Sequence, residues 1–338
     1  MLNRRRFSRL AGFLPLLCAL PARLQAQVIS ALAPHSGFDK NSTAEEVTAG
    51  LDLSGKIYAI TGANSGLGLE TLRVLVKRGA HVIAIARTWE KAEKACALVG
   101  GITTPEVLEL TDFESVVACA NRIRAMDIPL DGLILNAGIV SIQERTLVDG
   151  LEKHFVVNHL GHFIFANQLM NDVLRADHGR FVWLSSNAQF DAPEGGILFD
   201  DLAWEHTDYE PGVAYGHSKL ANALCSRELA RRLSTTTATS NSLHPGVIVT
   251  NAIRNMSPFM QWLAKNIGWL VTKTVEQGAA TQTYVASNPD LVGVRGYYFK
   301  DCNPAEGSPY LSDDDMAKRL WDVSAEITRD YLPESFGQ

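Results

Sequence analysis

Cysteine is scarce in this chain, and the few cysteines follow no recognisable pattern. There are five in 338 residues, and no two have the CxxC spacing of a redox or zinc motif. The sequence therefore indicates neither a disulfide scaffold nor a structural zinc site. We take the cysteines as small, partly buried thiols of an ordinary core.

Long apolar runs, internal repeats and low-complexity segments are also absent from the sequence. The apolar run Leu10–Leu20 is shorter than a membrane-spanning helix requires. Hydrophobic residues make up 46% of the chain and charged residues 20%, which excludes a disordered protein and provides enough material for a buried core. One large α/β domain preceded by a targeting segment accounts for this length.

Positive charge is sparse outside the amino terminus. The formal net charge is −6, yet residues 1–26 contain five arginines and no acidic residue. The other residues hold 26 basic and 37 acidic side chains, a net charge of −11. Such an acidic body argues against a general nucleic-acid-binding protein, although it is compatible with local basic contacts to a phosphate-bearing cofactor.

Residues 1–26 have the layout of an export signal. A basic segment that contains Arg4, Arg5 and Phe7 precedes the apolar run, and Ala26 provides a small residue at its exit. The arginine pair followed by Phe7 is typical of twin-arginine signals, which lead to the periplasm. An uncleaved membrane anchor and a cytoplasmic protein are the alternatives. We predict a signal peptide at 1–26, a linker at 27–53 and one folded domain at 54–338.

A glycine-rich turn between a strand and a helix follows. An apolar stretch at 56–60 precedes glycines with the spacing Gly-x3-Gly-x-Gly, and an amphipathic helix comes next. Such glycines let the backbone approach a pyrophosphate, whose charge the helix amino terminus stabilises. A simple helix cap is the alternative, which the position between strand and helix disfavours. The candidate phosphate-binding residues are Gly62, Asn64, Ser65, Gly66, Leu67 and Gly68.

The end of the second strand bears on the choice of nucleotide. We predict this strand at His81–Ala86, and Arg87 follows it where no carboxylate stands. An acidic residue there would hold the ribose 2′-hydroxyl of NAD(H), whereas a cation accommodates the 2′-phosphate of NADP(H). We therefore expect NADP(H) rather than NAD(H). The alternative is that Arg87 is a solvated surface charge.

Short apolar strands continue to alternate with helices along the chain. The alternation predicts an α/β fold: a single Rossmann-type, doubly wound parallel sheet of about seven strands flanked by helices. Ligands of such sheets lie at the carboxyl ends of the strands. The further predicted strands are Glu106–Leu110, Leu130–Leu135, Arg180–Leu184 and Gly296–Phe299, and Asn136, Ala137 and Gly138 follow the second of these.

A tyrosine and a lysine lie one helical turn apart in the second half of the chain. Tyr215 and Lys219 project from one face of a predicted helix that ends near Leu233. Hydride transfer at a carbonyl carbon requires a proton to move at its oxygen. A tyrosine with an ordinary pKa of about 10 is a poor base at neutral pH. A nearby ammonium favours the phenolate, so we expect Lys219 to lower the pKa of Tyr215.

Two other polar residues complete the candidate catalytic set. Ser186 follows a predicted strand and can orient a substrate oxygen by a hydrogen bond. Asn158 lies on a helical stretch that begins near Leu151 and could hold a water molecule that connects Lys219 to solvent. Three histidines of this stretch lie within a span of nine residues. They have no matching set of acidic ligands, so we expect them on helix faces and expect no metal site. These are His154, His159 and His162.

These motifs, in this order, resemble the short-chain dehydrogenase/reductase family. The resemblance covers about 53–300, and the sequences VNHLGHF, AYGHSKLAN and LHPG look most like the branch of the retinol dehydrogenases and WW-domain oxidoreductases. It implies that Tyr215 is the general acid/base and that Lys219 contacts the nicotinamide ribose. Ser186 and Asn158 then complete the catalytic set. It also implies that Asn136 lies near the adenosine side. The resemblance further implies that the loop at the nicotinamide end contains Pro245, Gly246, Val247 and Thr250.

The resemblance implies an NAD(P)(H)-dependent oxidoreductase that interconverts an alcohol and a carbonyl, with a lipophilic small-molecule substrate. A catalytically silent nucleotide-binding sensor or scaffold is the alternative. A third hypothesis, an envelope-associated protein with peripheral membrane contact, rests on the leader and on Phe259–Val271, which resembles the family's substrate lid. We expect a homo-oligomer that pairs through helices at 151–174 and 213–233. Glu109 departs from the family, which usually has an aspartate at the adenine there.

Overall fold

The computed structural model describes residues 33–140, 142–248, 272–334 and 336. Its centre is an eight-stranded sheet in which seven strands run parallel and the last is antiparallel. The strand order is β10-β9-β8-β7-β4-β1-β2-β3, and two short strands, β5 and β6, form a separate hairpin. The strands are β1 Ile57–Thr61, β2 His81–Ala86, β3 Thr103–Val107, β4 Gly132–Leu135, β5 Leu147–Val148, β6 Leu151–Glu152, β7 Arg180–Leu184, β8 Thr239–His244, β9 Tyr298–Lys300 and β10 Asn303–Ala305.

Helices cover both faces of the sheet, and each face has its own hydrophobic core. One core joins Val116, Phe163 and Leu229 to the sheet, and the other joins Leu72 and Tyr284 to it. None of the described helices is long and apolar enough to cross a membrane. The described α-helices are α1 Ala44–Val47, α2 Gly66–Lys77, α3 Trp89–Val99, α4 Phe113–Arg124, α5 Gly161–Gln168, α6 Met170–Leu174, α7 Pro211–Arg232, α8 Val275–Ser287 and α9 Asp314–Ile327.

The predicted α/β class and the doubly wound parallel sheet are confirmed, with differences at its two edges. The third strand begins at Thr103 rather than Glu106, because β3 is an edge strand and so tolerates Pro105 within it. No strand was predicted at the position of β8, inside the sheet, and the eighth strand, β10, was also not predicted. It pairs with β9 through a two-residue turn at Asp301 and Cys302, whose φ angles are 52° and 61°. Such turns usually have glycine at the second position, and because Cys302 stands there the turn could not be predicted from the sequence.

The segment predicted as a linker is packed against the domain from residue 33 onward. The Ser36 amide donates to Asn303 Oδ1 at 2.8 Å, and the ring of Phe38 contacts the ring of Tyr284 edge-on. Helix α1 buries Ala44 and Val47. The domain therefore begins before residue 54, because these contacts come from residues more than 200 positions away in the chain.

The helices predicted to form a subunit interface are covered by the carboxyl-terminal helix α9. Leu320 of α9 packs with Leu220 and Leu224 of α7, and the ring of Trp321 lies 4.9 Å from that of Phe163. Most of the residues of α7 are buried, between the sheet on one side and α9 on the other. The proposed pairing through 151–174 and 213–233 is thus corrected, because the chain itself occupies that face. A homo-oligomer stays a prediction and would need a different surface.

Candidate functional site

The glycine-rich turn brings the end of β1 into direct contact with the start of α2. Gly62 and Gly66 have φ angles of +70° and +52°, which glycine adopts without strain. A Cβ on Gly68 would lie 2.3 Å from the carbonyl oxygen of Gly62, so only glycine allows the helix to approach this closely. The turn is also tied to β4, because Asn136 Nδ2 donates to the carbonyl of Thr61 at 2.7 Å.

The start of α2 is shaped to receive a phosphate. Ser65 is the residue before the helix, and its side chain makes no hydrogen bond to the first turn, which leaves the first helical amides available. A Cβ on Gly66 would meet no atom within 4 Å, so there is open space in front of the helix. Arg87 is exposed after β2, the strand beside β1. These features fit a dinucleotide with its pyrophosphate at the helix amino terminus.

A buried histidine connects this turn to the catalytic half of the chain. His162 Nδ1 lies 3.0 Å from the carbonyl oxygen of Asn158, and Nε2 lies 2.9 Å from Thr61 Oγ1. The carbonyl requires a proton on Nδ1, so Nε2 accepts from the threonine hydroxyl. His162 was predicted only as a helix-face residue. The contact could have been predicted from the sequence, because His162 lies four positions after Asn158 and residues at that spacing share a helix face.

Asn158 holds the loop after β4 in place. It lies in a π-helical turn, Phe155–Leu160, a rare geometry that is frequent at functional sites. Its Oδ1 accepts from the amide of Ile139 at 2.8 Å, and its Nδ2 donates to the carbonyl of Ile139 at 3.0 Å and to Ser218 Oγ at 2.9 Å. The side-chain amide is thus engaged by protein groups and positions this loop, and the expected role in holding a water molecule stays a prediction.

Lys219 lies beside Asn158 and Tyr215. Its Nζ donates to the carbonyl of Leu184 at 2.9 Å and lies 5.7 Å from the centre of the Tyr215 ring. A Cβ on Gly138 would lie 3.1 Å from Asn158 Oδ1 and 3.4 Å from Lys219 Nζ, so this glycine lets the two side chains come together. The structure thus places the predicted catalytic residues in one group at the carboxyl ends of β4 and β7.

Burial governs the proton affinities of this group. It raises the pKa of Tyr215 to about 12, although a hydrogen bond with Ser186 lowers it in part. Burial also lowers the pKa of Lys219 to about 8. The expected lowering of the tyrosine pKa by Lys219 is therefore reversed, because the cost of burying a phenolate exceeds the favourable effect of its neighbours. The Tyr215 phenol keeps its proton at neutral pH.

The described residues after β8, 245–248, pack against Lys273. Gly246 has a φ angle of +103°, and the side chain of Lys273 packs against it. Val247 is 60% exposed, and its carbonyl accepts from the amide of Lys273 at 2.8 Å. Pro245 is half-buried beside them. Thr250 and the lid expected at Phe259–Val271 lie outside the described residues.

The Glu109 carboxylate is engaged by its own loop. Its Oε1 accepts from the amide of Thr111 at 3.0 Å and from Thr111 Oγ1 at 2.9 Å. This carboxylate stabilises the turn that leads into α4, which gives it a structural task independent of a nucleotide.

A cavity of about 450 Å³ lies apart from these residues, between the segment 194–201 and α9. Its walls carry several carboxylates, and they include none of the residues predicted for cofactor binding or catalysis. An acidic wall would repel a nucleotide, so the Tyr215 group and not this cavity is the candidate active site.

The comparisons with known proteins agree with this geometry. A family model described as short chain dehydrogenase matches residues 56–199. The chain is 38% identical over 319 residues to the chloroplastic short-chain dehydrogenase TIC 32 B of Brassica napus, an alignment that covers 90% of this chain and 98% of the relative. It is 39% identical over 293 residues to human retinol dehydrogenase 14, with 80% of this chain and 86% of the relative covered.

A solved structure of an uncharacterised protein from Mycobacterium paratuberculosis superposes with a TM-score of 0.69 at 31% identity. The superposition covers 85% of this chain and 98% of that one. The relatives thus extend over nearly the whole described domain, and the resemblance to the retinol dehydrogenase branch is confirmed. The chain belongs to the short-chain dehydrogenase/reductase family and is an NAD(P)-dependent oxidoreductase.

Proposed function

We propose that the protein interconverts a lipophilic carbonyl compound and its alcohol, with Tyr215 as the residue that moves the proton. The observation that carries the proposal is the convergence of Tyr215, Ser186 and Lys219, with Asn158 behind them, at the carboxyl ends of neighbouring strands. The Tyr215 phenol carries its proton at neutral pH and can donate it to a bound oxygen. It suits the reductive direction, in which a carbonyl oxygen must gain a proton.

The nucleotide is held by the turn and by residues beside it. The amides at the start of α2 would bind the pyrophosphate, and Lys219 would contact the nicotinamide ribose. Arg87 would pair with a 2′-phosphate, so we propose NADP(H) rather than NAD(H). A nucleotide held by these residues would supply the hydride to the substrate carbon, or accept it in the reverse direction.

The protein groups orient the substrate oxygen and supply its proton. Ser186 lies next to Tyr215, so the two hydroxyls can together hold one substrate oxygen. The Lys219 ammonium, fixed by Leu184, stabilises negative charge that develops on the phenol oxygen as its proton leaves. Asn158 keeps the backbone of this wall in place.

Exposed apolar side chains around the site favour a lipophilic substrate. Val140, Phe190 and Val247 are 42%, 51% and 60% exposed, and they follow the carboxyl ends of β4, β7 and β8. Each would gain from contact with an apolar molecule, about 25 cal/mol for every Å² that leaves water. Human retinol dehydrogenase 14, a relative, carries a lipophilic alcohol in its name.

Replacement of Tyr215 by phenylalanine tests the proposal. The Tyr215→Phe variant keeps the ring but loses the proton, so we expect turnover of lipophilic carbonyls with NADPH to fall about 10²–10⁴-fold. Nucleotide affinity should stay unchanged. Tyr331→Phe, at a tyrosine that packs against Phe113, is the matched control and should retain full activity. Equal activity of the Tyr215 variant would refute the role of this residue. Nucleotide binding by the wild type without turnover of any carbonyl would support the silent-sensor alternative.

We also propose that the chain is exported to the periplasm in folded form with its cofactor bound. The support is the arginine pair of residues 1–26, which lie outside the described residues. Cell fractionation, followed by amino-terminal sequencing of the mature protein, tests this. Recovery from the cytoplasm with an intact leader would contradict export, and recovery from the membrane would support the anchor or a peripheral membrane contact.

A further inference from the structure

Two residues of the loop after β4, Ile139 and Ile142, have both the backbone amide and the backbone carbonyl hydrogen-bonded to side chains. Asn158 binds the amide and the carbonyl of Ile139, as described above. Three positions later, His154 Nε2 accepts from the amide of Ile142 at 3.2 Å. The hydroxyl of Tyr209 donates to the carbonyl of Ile142 at 3.0 Å. The loop is thus held at two points, and the exposed Val140 lies between them.

A buried carboxylate fixes the orientation of this histidine. Glu152 and His154 are both fully buried, and Glu152 Oε1 lies 2.7 Å from His154 Nδ1. Since Nε2 accepts from Ile142, the ring proton must be on Nδ1, where it is donated to Glu152. The other carboxylate oxygen, Oε2, accepts from the amide of Phe155 at 3.0 Å. Glu152 therefore selects the imidazole tautomer that can hold the loop.

This arrangement touches the proposed active site. The ring of His154 meets the ring of Tyr215 edge-on, with 6.1 Å between the ring centres. A fully buried carboxylate is expensive, and apolar residues of the same volume would stabilise a core at least as well. A role in positioning the loop after β4 and Tyr215 explains why a carboxylate, Glu152, stands at this buried position.

We propose that Glu152, His154 and Tyr209 are positioning residues that set the substrate wall of the active site. They hold Ile142 so that Val140 presents a fixed apolar surface and the His154 ring supports Tyr215. The consequence is selectivity for extended lipophilic substrates, whose apolar part must lie along this wall while the carbonyl reaches Tyr215. This inference rests on the proposed function for its substrate class, but not for the contacts that define the wall.

The Tyr209→Phe variant is the mildest test. It keeps the ring, which packs edge-on against Trp204, and removes the hydroxyl that holds Ile142 and that also interacts with Glu152. We expect KM for a long-chain carbonyl substrate to rise about 2–10-fold, the range for one lost neutral hydrogen bond, with kcat nearly unchanged. A small carbonyl that does not reach the wall should show no change in either constant. Hydrogen–deuterium exchange of a peptide over 136–146 should become faster.

The matched control is Tyr310→Phe, because the hydroxyl of Tyr310 accepts from the amide of Gly195 in a different loop. This control should change neither the KM ratio, which is the KM for the long-chain carbonyl divided by that for the small carbonyl, nor hydrogen–deuterium exchange over 136–146. A second variant, His154→Phe, keeps an aromatic ring beside Tyr215 and should show the same KM pattern in larger degree, provided that it folds. Unchanged exchange and an unchanged KM ratio in Tyr209→Phe would overturn the proposal. A wild type without turnover would instead refute the proposed function, and the exchange measurement would still decide on the loop.

Discussion

The contact between α2 and the glycine turn makes Gly68→Ala a sharp test of the nucleotide site. The added Cβ would lie 2.3 Å from the carbonyl oxygen of Gly62 and 2.7 Å from Asn136 Nδ2. Ordinary contacts of a Cβ begin at 3.4 Å. The turn or the helix must therefore move by about 1 Å, because the atoms in the way belong to backbone and to an amide that is hydrogen-bonded to Thr61.

The movement should cost both stability and affinity. Overpacking of this size destabilises a protein by about 1–3 kcal/mol, while the better helix propensity of alanine returns at most about 1 kcal/mol. A reactive group displaced by about 1 Å can lower the rate about 10²-fold. We expect a lower free energy of unfolding by about 1–2 kcal/mol. We also expect at least a tenfold increase in the Kd for NADPH, since 1.4 kcal/mol of binding corresponds to a factor of ten.

Isothermal titration with NADPH and urea unfolding measure these two quantities. Gly212→Ala is the control, because Gly212 also lies in the first turn of a helix and a Cβ there would meet no atom within 4 Å. It should stabilise the protein by up to about 1 kcal/mol and leave nucleotide affinity unchanged. The reasoning would be wrong if Gly68→Ala bound NADPH within twofold of the wild type at unchanged stability.

Two further predictions concern charge. In Arg87→Ala the Kd for NADPH should rise about tenfold while that for NADH stays the same, because one charge-assisted bond to the 2′-phosphate is lost; equal effects on both nucleotides would remove Arg87 from this role. Burial lowers the pKa of His159 to about 3 and those of His162, His217 and His244 to about 4. The unfolded chain therefore binds more protons below about pH 6.5, so stability should fall as pH decreases from 6.5 towards 4, by about 2 kcal/mol per histidine at pH 5. Urea midpoints that stay constant between pH 7 and pH 5 would contradict this.

Local patterns carried most of what the sequence could predict. The helical spacing of Tyr215 and Lys219 is a property of five consecutive residues, and the glycine spacing between β1 and α2 is a property of seven. Both were therefore readable, and the alternation of strands and helices predicted the sheet. The residues at 33–53 have no such pattern, and contacts with distant residues, such as those of Ser36 with Asn303 and of Phe38 with Tyr284, show that they belong to the domain.

Contacts between distant residues could not be predicted in the same way. His159 Nε2 lies 2.8 Å from Ser324 Oγ, across 165 positions of the chain. This contact belongs to the packing of α9 on the helices expected to form a subunit interface. Glu152 and His154 are close in sequence, but their role depends on contacts with distant residues. His154 and Tyr209 both bind Ile142, in a loop whose conformation cannot be predicted from helix periodicity.

The pKa of Tyr215 shows why the sign of an electrostatic effect needs the structure. The sequence shows that a cation lies one turn away, and this alone would lower the pKa. It does not show how far each group is desolvated: Lys219 is buried and Tyr215 is half-buried, and desolvation raises the pKa of the phenol to about 12 and lowers that of the ammonium to about 8. Burial thus disfavours the charged form of both partners. A site built in this way holds a proton ready on the phenol at neutral pH, which is the state that the reduction of a carbonyl requires.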